Sequence, residues 1–430
     1  MEMEWVEGGV CAAKGFSAGA LHCGIRKSKK KDDLAMICAE KLCDAAAVYT
    51  TNRVKAAPLL LTMEHLKDGK AQAIIANSGN ANACAPNGEE NALREARAAA
   101  AALSVPEENI VVASTGVIGQ ELDIACIEVH AQEIKLAASK AGSDAAAHAI
   151  MTTDTREKTA AVRFEIGGKT CSLGGIAKGS GMIHPNMGTM LCFLTTDCAV
   201  TSDVLSAALK AVAKKTFNRV TVDGDTSTND MCVLLADGLA ENEPLTDAEK
   251  MRAAVNAAAQ GTAGGAGSFA GAEDYAVFYK ALLAVSEKLA KKIAGDGEGA
   301  GRLVTCTVKG AADEETAEQL AKAVVGSSLV KAAMFGADAN WGRVLCAMGY
   351  SGAAFSPEET SISFVSTAGQ IPVCKNGRGI VFSEELAKKI LSEDAVEILA
   401  ELSGGGTGEA SCWGCDLTYD YVKINGDYRT

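Results

Sequence analysis

The stretch from Lys178 to Leu191 constrains this 430-residue chain more than any other. It reads Lys-Gly-Ser-Gly-Met-Ile-His-Pro-Asn-Met-Gly-Thr-Met-Leu, a glycine-rich turn that opens into an apolar run, Met190–Leu194. Such a run is strand material, so Gly188 and Thr189 stand on the lip of a strand. Gly188 lacks a Cβ and reaches backbone angles closed to other residues. Thr189 sets a hydroxyl beside the Gly188 carbonyl. A cut between the two makes Thr189 a new N-terminus. Its α-amine, of pKa roughly 7.7–8.0, then lies beside the hydroxyl as its base. The plainer reading of the same residues is a turn before a buried strand, with Thr189 as β-branched filler. Pattern alone favours that plainer reading.

Strand-like and helix-like patterns alternate along the chain. Strands are expected at 73–76, 109–112, 190–194, 219–222, 232–235, 303–308, 361–365 and 417–424. Helices are expected at 88–103, 124–141, 201–214, 274–293, 314–333 and 384–402. Over 274–293, Val277, Phe278, Ala281, Leu282, Val285 and Leu289 fall on one stripe, the mark of an amphipathic helix. The class is mixed α/β, with sheets covered by helices. Loops fall at Gly261–Gly271 and Gly404–Gly408, and a smaller C-terminal α/β lobe is expected at about 300–402.

The net charge of −13 speaks against nucleic acid as a partner. The one basic run, Arg26–Lys31, is followed by Asp32-Asp33 and reads as a solvated loop. Fifteen cysteines, an odd number scattered through apolar runs, read as reduced thiols in a cytoplasmic protein. No run approaches the roughly 18 apolar residues that cross a bilayer.

Other polar segments could shape a site. Ser114-Thr115-Gly116 follows the run 109–112. A hydroxyl and a backbone N–H at a strand end can hold an oxyanion; a helix N-cap is the simpler reading. Gly295–Gly301 follows a helix rather than a strand, which excludes a dinucleotide loop. Glu298 within it suits an ammonium group, against the simpler reading of a helix C-cap and turn. Asp223–Asp230 places Asp225 correctly for a calcium loop but has Leu234 where the EF-hand needs Glu, so no metal is expected there. Cys412-Trp413-Gly414-Cys415 lacks a second ligand pair for zinc and precedes a strand, the wrong context for a thioredoxin motif. His184 is a candidate base, but a local hydrogen bond explains a loop histidine more simply.

Taken together these segments resemble the ornithine acetyltransferases, self-cleaving enzymes of arginine biosynthesis that also act as N-acetylglutamate synthases. The likeness covers essentially the whole chain. It is carried by Thr51–Pro58, Asn77–Cys84, Ser114–Gly119, Met151–Thr155, Lys178–Leu191, Asp223–Asp230, Gly295–Gly299, Phe335–Asp338, Asn340–Arg343 and Asp416–Thr430. The resemblance implies an N-terminal-nucleophile-like architecture. It also implies cleavage between Gly188 and Thr189 into an α chain, 1–188, and a β chain, 189–430, whose tail 416–430 returns to the site. Thr189 is the implied nucleophile and Thr115 with Gly116 the implied oxyanion pair. The implied substrate contacts are Thr152, Lys178, Thr189, Glu298, Asn425 and Thr430. Alanine is usual in the family at 188 and frequent at 184, where this chain has Gly188 and His184. The implied substrates are N2-acetyl-L-ornithine and L-glutamate, with no cofactor, acetyl-CoA as an alternative donor, and an α2β2 heterotetramer. A self-cleaving amidase such as a β-peptidyl aminopeptidase is the nearest rival. A non-catalytic redox protein using Cys412 and Cys415 is the rival of another class.

Overall fold

A computed structural model describes residues 3–29, 31–184, 190–259 and 271–427. Two sheets organise them. The larger has nine strands among the described residues. In spatial order these are Glu4–Val6, Lys158–Ile166, Lys169–Lys178, Leu191–Thr196, Met231–Ala236, Leu34–Tyr49, Lys70–Asn80 and Ile110–Val117, with Phe16–Leu21 beside Leu34–Tyr49. Leu191–Thr196 runs parallel to Met231–Ala236, and Lys70–Asn80 parallel to Ile110–Val117; the other neighbours are antiparallel. The class is therefore mixed α/β with a mixed sheet.

The sixteen-residue strand Leu34–Tyr49 joins the two halves of this sheet. Its first half pairs with Lys70–Asn80 and its second with Met231–Ala236. Its register with Lys70–Asn80 slips between Cys38 and Cys43, and such an irregularity bends a strand. Helices Ser202–Lys215 and Ala272–Gly295 cover one face. There Val204, Leu209, Phe278 and Leu282 pack with Phe164, Leu194 and Leu234. Helix Lys140–Ala149 covers the other with Ala146 and Ala147 against Ile74, Val111 and Phe193. The expected amphipathic helix is thus present, with Phe278, Ala281, Leu282, Val285 and Leu289 buried. Its acidic first turn (Glu273, Asp274) and Lys292 in its last suit the helix dipole.

The second sheet has six strands in the order Arg378–Gly379, Gly369–Lys375, Thr360–Ser366, Ala395–Leu402, Leu303–Ala311 and Gly408–Cys415. It has its own apolar core, including Val304, Leu320, Phe364 and Ile398. Gly408–Cys415 lies beyond the expected 300–402 span yet belongs to this sheet.

Several expected elements differ. Residues 219–222 form a 3-10 turn, Phe217–Arg219, and a single bridge from Val220 to Trp413. The 124–141 run breaks after His130, and a new helix starts where Ser139 Oγ accepts from Gly142 N. The 314–333 run breaks at Ser327, whose hydroxyl caps Val330 N. The helix from 384 stops at Leu391. Ala395–Leu402 is a strand because Val396, Ile398 and Ala400 alternate into the core. Over 417–424, Tyr419–Asp427 is a helix with no buried residue; β propensity without a partner edge yields to context. Cys412 and Cys415 lie within Gly408–Cys415 rather than before a strand, and Cys412 faces Cys306 across the pair. All fifteen cysteines are free. Arg26 is no solvated residue: its guanidinium donates to Ser78 Oγ at 3.1 Å and to the Met151 carbonyl. The Gly261–Gly271 loop lies outside the described residues except for Gly271. Among the described residues, no helix is long and apolar enough to cross a membrane.

One buried group works against the fold. Both carboxyl oxygens of Glu95, on helix Gly88–Leu103, are buried without a hydrogen-bond partner among the described residues. Burial raises its pKa well above the carboxylate range. An acid raised on folding costs stability as pH climbs from its unfolded value, roughly 4.3, toward its folded one. Glu95→Leu is therefore expected to stabilise the protein at neutral pH by about 1–3 kcal/mol. The gain should shrink toward pH 4. Urea midpoints at pH 4.5 and 7.5 check this, and an equal change at both would contradict it.

Candidate active site

Thr115 and Gly116 stand near the end of Ile110–Val117, in register with Ser78 and Gly79 of the parallel neighbour. Gly116 has φ +138°, and a Cβ there would lie 2.4 Å from the Gly79 carbonyl carbon. Only glycine allows this approach. No helix begins here, so Thr115 is not an N-cap.

Lys178, the last residue of Lys169–Lys178, is 6% exposed. Its Nζ donates to Thr115 Oγ1 at 3.1 Å. In the sheet Lys178 pairs with Leu191, two residues after Thr189. The turn beyond Lys178 is held from three sides. Asp154 Oδ1 accepts from Gly179 N at 2.7 Å. Ser180 Oγ donates to the Asp296 carbonyl at 2.7 Å, and its own carbonyl accepts from Glu298 N at 2.9 Å. Asp223 accepts from Met182 N and Ile183 N at 2.7 and 2.8 Å. The Asp223–Asp230 loop is thus a clasp for the glycine-rich turn. It also reaches the strand that carries Thr115 and Gly116, since Asn229 Nδ2 donates to the Ser114 carbonyl at 2.9 Å.

Beneath the turn lies Lys158, buried, with Nζ 2.7 Å from Asp154 Oδ1 and 2.6 Å from Asp296 Oδ2. Asp154 Oδ2 also accepts from Thr152 N at 3.0 Å, and Asp296 Oδ2 from Thr155 N at 3.0 Å. Across the opening, Asn425 on helix Tyr419–Asp427 donates to Glu298 Oε2 at 2.7 Å. A Cβ on Gly181 would strike the Glu298 carboxylate at 2.4 Å, so this glycine makes room for it. Thr115, Gly116, Thr152, Lys178, Glu298 and Asn425 line one cleft.

Burial lowers the pKa of Lys178, opposed by Asp154 and reinforced by Lys158. Burial would raise Asp154, but Lys158 and Lys178 together hold it below the usual carboxylate range. Burial raises Asp230 well above that range and raises Asp223 as well. The cleft lining sets the Lys178 amine together with the acidic side chains of Asp223, Asp225 and Glu298, a pattern that suits a zwitterion. Among the described residues no cluster fits a metal ion.

Gly188, Thr189 and Thr430 lie outside the described residues. His184 does not line the cleft; its Nδ1 lies 3.0 Å from Thr221 Oγ1, and burial lowers its pKa. Sequence reasoning missed Lys158, and Asp296 and Tyr421 stood inside matched segments without a role. Asp154 stood inside a matched segment without a role. Burial and pairing, which distinguish Lys158 and Asp296, leave no local signature. Tyr421, whose hydroxyl donates to Asp223 at 3.4 Å, was hidden by the expectation of a strand.

The pattern of the ArgJ family matches residues 17–430. The chain is 48% identical to the arginine biosynthesis bifunctional protein ArgJ of Symbiobacterium thermophilum, over the full length of both. It is 46% identical to that of Caldanaerobacter subterraneus subsp. tengcongensis, again over the full length of both. The crystal structure of ArgJ from Bacillus halodurans aligns with 54% of this chain and 97% of its own, at 46% identity and TM-score 0.46.

Proposed function

The chain belongs to the ArgJ family, and from that premise we propose that it moves an acetyl group from N2-acetyl-L-ornithine to L-glutamate through an acetyl ester on Thr189. The observation that carries this reading is the Lys178–Thr115 contact in a cleft that also presents Glu298 and Asn425, with Lys178 paired to Leu191, two positions along the sequence from Thr189. Maturation begins when Thr189 Oγ attacks the Gly188 carbonyl in an N-to-O acyl shift. The shift frees the Thr189 amine, and water then hydrolyses the ester, freeing the Thr189 hydroxyl and the Gly188 carboxylate. This leaves chains of 188 and 242 residues, which associate as an α2β2 assembly.

In the mature enzyme Thr189 Oγ attacks the acetyl carbonyl while the α-amine takes the hydroxyl proton. The Thr115 hydroxyl and Gly116 N–H stabilise the oxyanion; one such donor is worth roughly 2.7–4 kcal/mol of barrier. The tetrahedral intermediate collapses, the α-amine proton goes to the departing nitrogen, and ornithine leaves. The amine of glutamate then attacks the acetyl-threonine ester and gives up a proton to the α-amine, which passes it to Thr189 Oγ as that oxygen leaves, and N-acetyl-L-glutamate is released. An amide is exchanged for an amide, so the cycle needs no energy source and no cofactor. Glu298 is the partner for a substrate ammonium, and Lys178 for a carboxylate or oxyanion. Thr152, Asn425 and Thr430 complete the substrate contacts.

Purified protein with N2-acetyl-L-ornithine should form N-acetylglutamate when glutamate is supplied, far faster than it forms free acetate without it. Acetate release that is indifferent to glutamate would instead support the hydrolytic rival. The relatives are named bifunctional, which supports acetyl-CoA as a second donor. The same assay with acetyl-CoA replacing acetylornithine tests that activity.

A further inference from the structure

Asp154, Lys158 and Asp296 form one buried ion-paired group, and buried Lys178 is tied to it through the neighbouring Gly179 N, which donates to Asp154. Of the four, only Lys178 lines this cleft. Asp154 stands at its centre: it binds Lys158 directly, holds Gly179 N next to Lys178, and holds Thr152 N.

The contact between Lys178 and Thr115 has a sense that depends on charge. An ammonium has three hydrogens and no lone pair, so a charged Lys178 can only donate to Thr115 Oγ1. The hydroxyl hydrogen is then left for an acceptor in the cleft. A neutral lysine has a lone pair that can accept this hydrogen and turn it away.

We propose that Asp154 is a positioning residue for acetyl transfer: by keeping Lys178 charged it directs the Thr115 hydroxyl hydrogen to the place where the oxyanion forms. The inference rests on Thr115 acting as an oxyanion donor.

The charged groups that face Lys178 single out Asp154. Burial pulls Lys178 below the ordinary lysine range, and Lys158 adds to this. Asp154, Asp230 and Glu298 oppose it, with Asp154 the strongest of the three. Burial raises Asp230 well above the carboxylate range, which weakens it as an anion. Glu298 already accepts a hydrogen bond from Asn425. Asp154 is held below the usual carboxylate range and stays charged.

The sign follows. Transfer requires charged Lys178, so activity falls as pH rises through its pKa. Removing the Asp154 charge moves that fall to lower pH. A purely structural lesion would lower activity at every pH and leave the limb in place.

The test is kcat/KM for N2-acetyl-L-ornithine against pH, from 6 to 10, for wild type, Asp154→Asn and Thr115→Val. Wild type should show an alkaline limb below lysine's ordinary ~10.4. In Asp154→Asn the limb should move down by about one pH unit or more, an extra loss of about tenfold on its alkaline side. Thr115→Val should transfer slowly and lose that limb, having no hydroxyl to turn. An unshifted limb in Asp154→Asn overturns the inference, as does an unchanged limb in Thr115→Val. The Thr115→Val result decides alone should Asp154→Asn fail to fold. Wild type with no transfer at any pH overturns the acetyl-transfer reading together with this inference, whereas transfer with an unshifted limb overturns the inference only.

Discussion

Thr189→Ala is expected to accumulate as one uncut 430-residue chain that neither transfers acetyl nor forms an acetyl ester. The substitution removes the only atom that both steps share. Without Oγ there is no N-to-O shift at Gly188, hence no free α-amine. Even a chain cut by other means would have a base but no nucleophile. The loss should therefore reach the background rate and not stop at the factor of about 10²–10³ that follows removal of one oxyanion donor. Thr189→Ser keeps the hydroxyl and should keep some cutting and some transfer. Radiolabelled acetylornithine followed by rapid denaturation reads this directly: label on the β chain of wild type, none on Thr189→Ala. Label on the alanine variant would place the nucleophile elsewhere.

The second large effect is on stability. Lys158→Met is expected to cost about 3–5 kcal/mol, because it strands Asp154 and Asp296 as buried carboxylates without their shared ammonium. Those carboxylates tie together the strand end at Lys178, the segment 152–156 and the turn at 295–299. The damage should thus centre on the cleft. Adding Asp154→Asn removes one of the stranded charges, so the double variant should lose less than the sum of the two single changes. Urea unfolding of the three variants measures the coupling. Strict additivity, or a loss below about 1 kcal/mol for Lys158→Met, would show that the triad does not hold the fold as its geometry implies.

Much of the site was legible because its residues sit in glycine-rich segments with a backbone reason to be there. Gly116 permits two strands to touch, and Gly181 clears space for Glu298. The long amphipathic helix 272–295 was legible from its apolar stripe. What stayed hidden depended on distant partners. Ala395–Leu402 has enough leucine and alanine for a helix, yet a parallel neighbour, Leu303–Ala311, makes it a strand. Tyr419–Asp427 alternates like a strand, yet no sheet edge receives it. Lys158 stood outside every segment that the sequence singled out. Its importance lies in two carboxylates four and 138 residues away. Arg26 looked like part of a solvated run, and tertiary contacts drew it inward.

The central claim is that Thr189 works as a free N-terminus, and intact mass of purified, active protein under denaturing conditions tests it most directly. The account predicts two chains of 188 and 242 residues, the second beginning with threonine. A single uncut chain in a sample with full acetyl-transfer activity would contradict it.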